Sequence, residues 1–151
     1  MARYGSQFGP DLTFLGVPSC DLDDPESFAD ADVVILGAPF DGGTSNRSGA
    51  RFGPGAMRST CYLPHDGSRP SLALRVDGLQ DLNVKDAGDV MMFSGDAVRS
   101  CADLEAAIER VAAAGAMPLV LGGDHTITWP NATGIARAKG WGRSSLIHFD
   151  A

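Results

Sequence analysis

Two short stretches hold the side chains best suited to bind a metal ion. The first is Gly122-Gly123-Asp124-His125, which follows the apolar run Leu119-Val120-Leu121. The second is His148-Phe149-Asp150, which follows Leu146-Ile147. Imidazole nitrogen together with carboxylate oxygen suits Mn²⁺, Zn²⁺, Fe²⁺ or Ni²⁺. Each stretch ends an apolar run, so each reads as a buried strand running out at a polar tip. In a parallel α/β sheet successive strand ends share one edge, and ligands bind there. That placement would bring His125 and Asp150 together. Two glycines before Asp124 allow a sharp turn that aims His125 into a cleft. Asp124 would then orient the imidazole or hold the turn itself. Strand alternation puts His148 on the face of Asp150 but one step back, packed beneath an ion rather than on it. The same residues also read as a plain strand-to-helix turn with a satisfied histidine, and spacing does not choose between the two. Two ligands also fall short of the three or four that zinc sites use.

The elements that must position these groups follow from apolar periodicity. Asp32–Gly37 is β-branched, continuous and ended by glycine, as expected of a strand covered on both faces. A long loop follows, from Ala38 to Pro54, rich in glycine and carrying Asn46, Arg47 and Arg51. Loops of that length in compact domains are uncommon unless functional or disordered. It lacks the glycine spacing of a phosphate cradle. Gly53-Pro54 starts a helix, with proline in the first turn. Residues 62–82 read as loop, with a solvated His65. Leu82–Val90 reads as a short strand and turn, in which Asp86 and Asp89 fix backbone.

Ser100–Ala114 is the clearest helix. Leu104, Ala107, Ile108 and Val111 form one apolar face, Ser100 is placed to cap it, and Gly115 stops it. A strand at Met117–Leu121, a helix from about Thr126 to Lys139 and a strand at Ser144–Phe149 complete an α-β-α-β order with parallel crossover spacing. Pro130 fits only in the first turn of its helix. Residues 1–30 read as irregular. Asp21–Asp24 is a solvated acidic turn, and Phe14–Pro18 is too short and too proline-bound for a core element, packing on a neighbour or another subunit instead.

Composition narrows the classes of function. With 19 acidic against 12 basic residues the formal charge is −7, which argues against a nucleic-acid partner. An acidic cleft would favour a cationic substrate, though plain solubility charge accounts for it equally well. Cys20, Cys61 and Cys101 are odd in number and widely spaced, so neither a disulfide framework nor a zinc ribbon is expected, and a reducing cytoplasm fits. No apolar run reaches spanning length, and no hydrophobic leader is expected, so no membrane partner is expected either.

Three ordered blocks resemble the ureohydrolase (arginase–agmatinase) family, closest to its agmatinase-like branch. Gly37–Pro54 resembles that branch's glycine-rich loop, with Ser48 where the family usually has proline. Gly122–Thr126 resembles the first metal motif, and Ile147–Ala151 the opening of the second, Asp-Ala-His-x-Asp. The resemblance implies a three-layer α/β/α fold with a mostly parallel sheet, of which residues 1–151 form the N-terminal part. It implies two Mn²⁺ ions, with Ni²⁺ an alternative. His125 would hold one ion, Asp150 would bridge both, and Asp124 would orient the site.

Asn46, Arg47 and Arg51 would wall the cleft or join subunits. The implied chemistry is attack of metal-bound hydroxide on a small cationic guanidino substrate, giving urea and an amine. Agmatine-like compounds, other guanidino acids and guanidine itself fit this chemistry. A cytoplasmic homo-oligomer, trimer or hexamer, is expected. The remaining ligands of the second motif and the later aspartates do not occur in the chain. A fragment of a longer enzyme, inactive alone, is therefore expected, with a non-catalytic half-domain as the alternative.

Overall fold

A computed structural model describes residues 12–60 and 70–149. Three parallel strands form its sheet: β1, Val33–Ala38; β2, Val84–Asp89; and β3, Met117–Gly122. Their spatial order is β2-β1-β3. Val33 pairs with Val84 on one side and with Met117 on the other. All six residues of β1 are buried, as its unbroken β-branched run requires of a strand covered on both faces.

Four helices flank the sheet: α1, Gly53–Thr60; α2, the single turn Gly78–Asp81; α3, Ala97–Ala113; and α4, Thr128–Lys139. Helix α3 lays Leu104, Ala107, Ile108 and Val111 on Val34, Leu36 and Ala38, with Phe28, Val90 and Ala116 completing that core. The opposite face buries Val17, Ile35 and Leu121, flanked by Phe14, Leu79 and Val84. Helix α1 packs on this second side, beside the 3-10 turn Phe14–Gly16. Helix α4 packs on α3, where Arg137 pairs with Glu105 at 2.6 Å. Pro130 is buried at the third position of α4, where it interrupts no helical hydrogen bond. The expected three-layer α/β/α arrangement with a parallel sheet is thus the one that forms.

Several local expectations are corrected. Phe14–Pro18 is part of the core, because a single 3-10 turn is enough to drop Val17, 1% exposed, onto Ile35 and Leu121. The next residues pair with the sheet: Cys20 N–H donates to Asp86 O at 3.0 Å and Asp86 N–H to Pro18 O at 2.9 Å. Helix α3 begins earlier than expected because Asp96, not Ser100, caps it, its carboxylate accepting from the Arg99 N–H at 2.9 Å. Ser100 is buried in the first turn, with its hydroxyl on the Asp96 carbonyl. The expected strand at Ser144–Phe149 makes no ladder. Leu146, Ile147 and Phe149 are 65%, 81% and 89% exposed. An apolar run becomes a strand only where an edge accepts its backbone, and β3 does not pair with it here. His65 and Cys61 lie outside the described residues.

Asp86 is more than a turn-fixing residue. It is 1% exposed and faces Arg58, itself 7% exposed, from α1. Arg58 Nε and Nη2 donate to the two carboxylate oxygens at 2.9 Å each. Asp86 also accepts from the Phe14 N–H at 2.7 Å and the Gly88 N–H at 2.8 Å. Arg58 reaches further, to Asp89 and to the Gly88 carbonyl. One guanidinium therefore ties the N-terminal segment, α1 and the tip of β2. Replacing Arg58 by alanine would leave Asp86 buried without its counter-charge, and is expected to cost about 3–5 kcal/mol. Urea denaturation of the whole protein measures this, and a loss under about 1 kcal/mol, typical of an exposed pair, would contradict it.

Candidate metal centre

The chain leaves β1 towards one face and β3 towards the other, since α1 and α4 lie on opposite sides of the sheet. The C-terminal ends of β1 and β3 therefore flank a topological switch point, where open α/β sheets bind ligands. The Gly-Gly-Asp-His turn sits there. Gly123 N–H donates to Ala38 O at 3.2 Å and Asp124 N–H to Phe40 O at 2.7 Å, which extends the β1–β3 pairing past the strands. A Cβ on Gly123 would stand 2.6 Å from the Ala38 carbonyl oxygen, so glycine is required for the approach.

Asp124 then works in two directions. One carboxylate oxygen accepts from the Thr126 N–H at 2.9 Å, capping the 3-10 turn His125–Ile127. The other accepts from the Gly43 N–H at 2.7 Å, holding the long loop after β1. Gly43 is hemmed in by this contact, for a Cβ there would run into the Thr126 hydroxyl. His125 is left exposed at the tip. Its Nε2 meets Nε2 of His148, with ring centroids 4.4 Å apart and planes inclined by 42°. His148 is expected to pack one step beneath the site. That expectation assumed a strand at 144–149, whose alternation would have fixed the ring one step back. Without the ladder the segment brings the ring onto His125.

The loop has its own clasp. Asp41, 4% exposed, accepts from the Gly49 N–H at 2.8 Å and from Arg51 Nε at 2.6 Å. The Arg51 guanidinium, helped by the Gly49 and Arg51 amides and opposed by burial, holds the Asp41 carboxyl down at about 2. Arg51 is thus spent within the loop. Asn46 and Arg47 are exposed at its far end, and Arg47 has no ion-pair partner among the described residues. A cleft of about 430 Å³ opens beside the clasp, lined by Phe40, Asp41, Arg51, Asp89, Met92 and Phe93. A larger apolar cavity of about 670 Å³ lies along α4 between Trp129, Trp141 and Leu146, and contains none of the candidate ligands. Burial raises the Cys20 thiol to about 11 and also raises Cys101, so neither is an activated nucleophile.

His125 supplies an exposed imidazole, a nitrogen donor that suits a transition metal. Among the described residues no group of three or more metal-capable side chains forms. Asp150 lies outside them. No described helix is long and apolar enough to cross a membrane.

A model of the arginase family matches residues 31–151. The chain belongs to the arginase family. Among curated arginase-family relatives it is 44% identical over 124 residues to an agmatinase of Cronobacter sakazakii, covering 82% of this chain and 39% of that protein. It is 42% identical over 125 residues to the human mitochondrial guanidino acid hydrolase, covering 80% of this chain and 33% of that protein. Its fold matches the crystal structure of a hypothetical agmatinase from Burkholderia thailandensis with a TM-score of 0.70 and 29% identity, over 89% of this chain and 42% of that one. It also matches Trypanosoma cruzi formiminoglutamase, solved with Mn²⁺, with a TM-score of 0.61 and 34% identity, over 74% of this chain and 37% of that one. The chain thus spans well under half the length of these arginase-family relatives.

Two outcomes test the site's construction. Replacing Asp124 by alanine frees both Gly43 and the His125 turn, and is expected to weaken Mn²⁺ binding by about 10–100-fold without unfolding the protein. Calorimetric titration with Mn²⁺ measures it, and an unchanged affinity would remove Asp124 from the site. The clasp predicts a pH dependence. A depressed carboxyl stabilises the loop fully above the ordinary aspartate value near 3.9 and loses that effect as pH falls towards about 2. The Gly49 amide shift, followed by NMR, should titrate with a midpoint at about 2; a midpoint near 3.9 would mean the clasp is open in solution.

Proposed function

We propose that the whole protein hydrolyses a small cationic guanidino compound to urea and an amine, using manganese held in part by His125. The observation that carries this reading is the presentation of His125 at the switch point by a carboxylate that also anchors the β1 loop. Membership of the arginase family, with an agmatinase and a guanidino acid hydrolase among the relatives, supports the reaction class. The Mn²⁺-containing relative supports the metal. Nickel fits the same donors.

In this reading His125 and Asp150 are ligands, and Asp124 orients the site by fixing the turn that carries His125. Bound manganese would supply Lewis acidity and a lowered pKa for water. The Asp41–Arg51 clasp ties the two ends of the loop together beside the cleft lined by Asp41, Arg51 and Asp89. Asn46 and Arg47, at the exposed end of the loop, meet either the outer part of the substrate or a neighbouring subunit of a homo-oligomer. Water adds across the guanidinium carbon, the bond from that carbon to the substituted nitrogen breaks, and that nitrogen leaves with a proton as the amine. The remaining donors come from polypeptide beyond the described residues. A cytoplasmic setting agrees with the scattered cysteines.

The test is urea release by the Mn²⁺-loaded whole protein from agmatine, guanidinobutyrate, guanidinopropionate and guanidine. One of these should be turned over, and replacement of His125 by alanine should reduce turnover by at least about 100-fold, more than the loss of an outer-shell partner. No urea from any of them, with manganese demonstrably bound, would overturn the proposal.

A further inference from the structure

We infer that Arg58 is a positioning residue for the metal centre, acting from within α1 on the turn that carries His125. The inference rests on the metal-site reading of His125 and concerns what holds that turn in place. Two separate lines of contact join Arg58 to it.

The first runs along α1. Its opening residue, Gly53, has φ −55° and ψ −52°, ordinary helical values that any residue adopts. Glycine is therefore not needed there for its backbone freedom. It is needed for space, because a Cβ on Gly53 would stand 2.6 Å from the Gly122 carbonyl oxygen. Gly122 directly precedes Gly123-Asp124-His125, so the start of the helix is seated on the base of the metal-binding turn. Arg58 lies five residues further on, about 7.5 Å along the helix axis. Gly55, Ala56 and Met57, between the two, are exposed and give α1 no apolar stripe. The bidentate grip of Arg58 on Asp86 sets where the helix lies.

The second line runs through β1. Arg58 also pairs with Asp89, and these two side chains lie on the backbone of Gly37. A Cβ on Gly37 would run into the Asp89 carboxylate and would stand 3.0 Å from Arg58 Nη1. The next residue, Ala38, supplies the carbonyl that accepts the Gly123 N–H. One guanidinium thus bears on the turn twice, through α1 at the Gly122 carbonyl and through Gly37 at the acceptor of Gly123. Lysine would keep the charge of Arg58 but not the planar fork that holds Asp86 and Asp89 together. Metal–ligand distances are held to within about 0.2 Å, so a small displacement of the turn is felt at the ion.

The test is calorimetric titration of the folded whole protein with Mn²⁺ in wild type, G53A and R58K, with V111A as the control. Val111 is buried near the C-terminal end of α3. V111A leaves a cavity there that lowers stability, and it should leave the affinity unchanged. G53A and R58K should each weaken Mn²⁺ binding by about 10-fold or more, the range for groups that support a ligand without touching the ion. G53A should do so although alanine is the better helix former, a loss that a role in folding alone does not produce. Wild-type affinity in both G53A and R58K would overturn the inference. An equal loss in V111A would also overturn it, by tracing the effect to general loosening. If R58K fails to fold, D89N replaces it under the same criterion, since Asp89 is a partly exposed partner of the same fork. The two readings fail separately. Urea release with unaltered affinities sinks the positioning role and keeps the hydrolase. Weakened Mn²⁺ binding in the variants, without urea from any guanidino compound, does the reverse.

Discussion

The structure depends on the backbone joint between the tips of β1 and β3. Two N–H groups, of Gly123 and Asp124, reach back to the carbonyls of Ala38 and Phe40. These bonds carry the parallel pairing beyond the point where the strands themselves end. The joint forms only because residue 123 has no side chain to strike the opposing carbonyls. Once it is made, the Asp124 carboxylate lies within reach of Gly43 on one side and Thr126 on the other. The same carboxylate thus pins the loop from the neighbouring strand to the turn that carries His125.

A second constraint stands between α1 and β2. The Arg58–Asp86 pair, with Asp89, places charge where the sheet would otherwise bury apolar side chains. Desolvating two ions offsets most of their attraction, so such a pair contributes little net stability over an apolar replacement. Its value here is geometric. Asp86 accepts two bonds from Arg58 of α1 and one each from the Phe14 and Gly88 amides. A helix following a glycine-rich loop has no apolar stripe to set its position. The fork of Arg58 does so instead.

The parts of the fold legible in the sequence are those in which local pattern and tertiary burial agree. The continuous run at 33–38 and the three- and four-residue spacing of Leu104, Ala107, Ile108 and Val111 identify β1 and α3, because burial on two faces or on one stripe leaves those patterns. The turn at Gly122–His125 is legible for the same reason. The rest depended on partners far away in sequence. Val17 is core only because Ile35 and Leu121 are there to receive it. Asp86 looked like a turn residue because its partner, Arg58, is 28 positions distant. Asp96 displaced Ser100 as a cap by competition between two good acceptors, which spacing alone does not rank. The placing of His148 rests on a strand that the described residues do not form. Alternation along Ser144–Phe149 presupposed a neighbouring strand, and without one the period has no face to refer to.

The two edges of the sheet are treated differently. The edge of β2 is met at Asp86 by Pro18–Cys20, whose backbone pairs with the N–H and carbonyl of that residue. The edge of β3 has no strand partner among the described residues, and Met117 and Leu119 stand 57% and 42% exposed there. The sheet is therefore a template with one live end. A strand added in parallel past β3 would set its own C-terminal tip beside the turn that carries His125, while at Asp86 the outer edge of β2 already holds Pro18–Cys20.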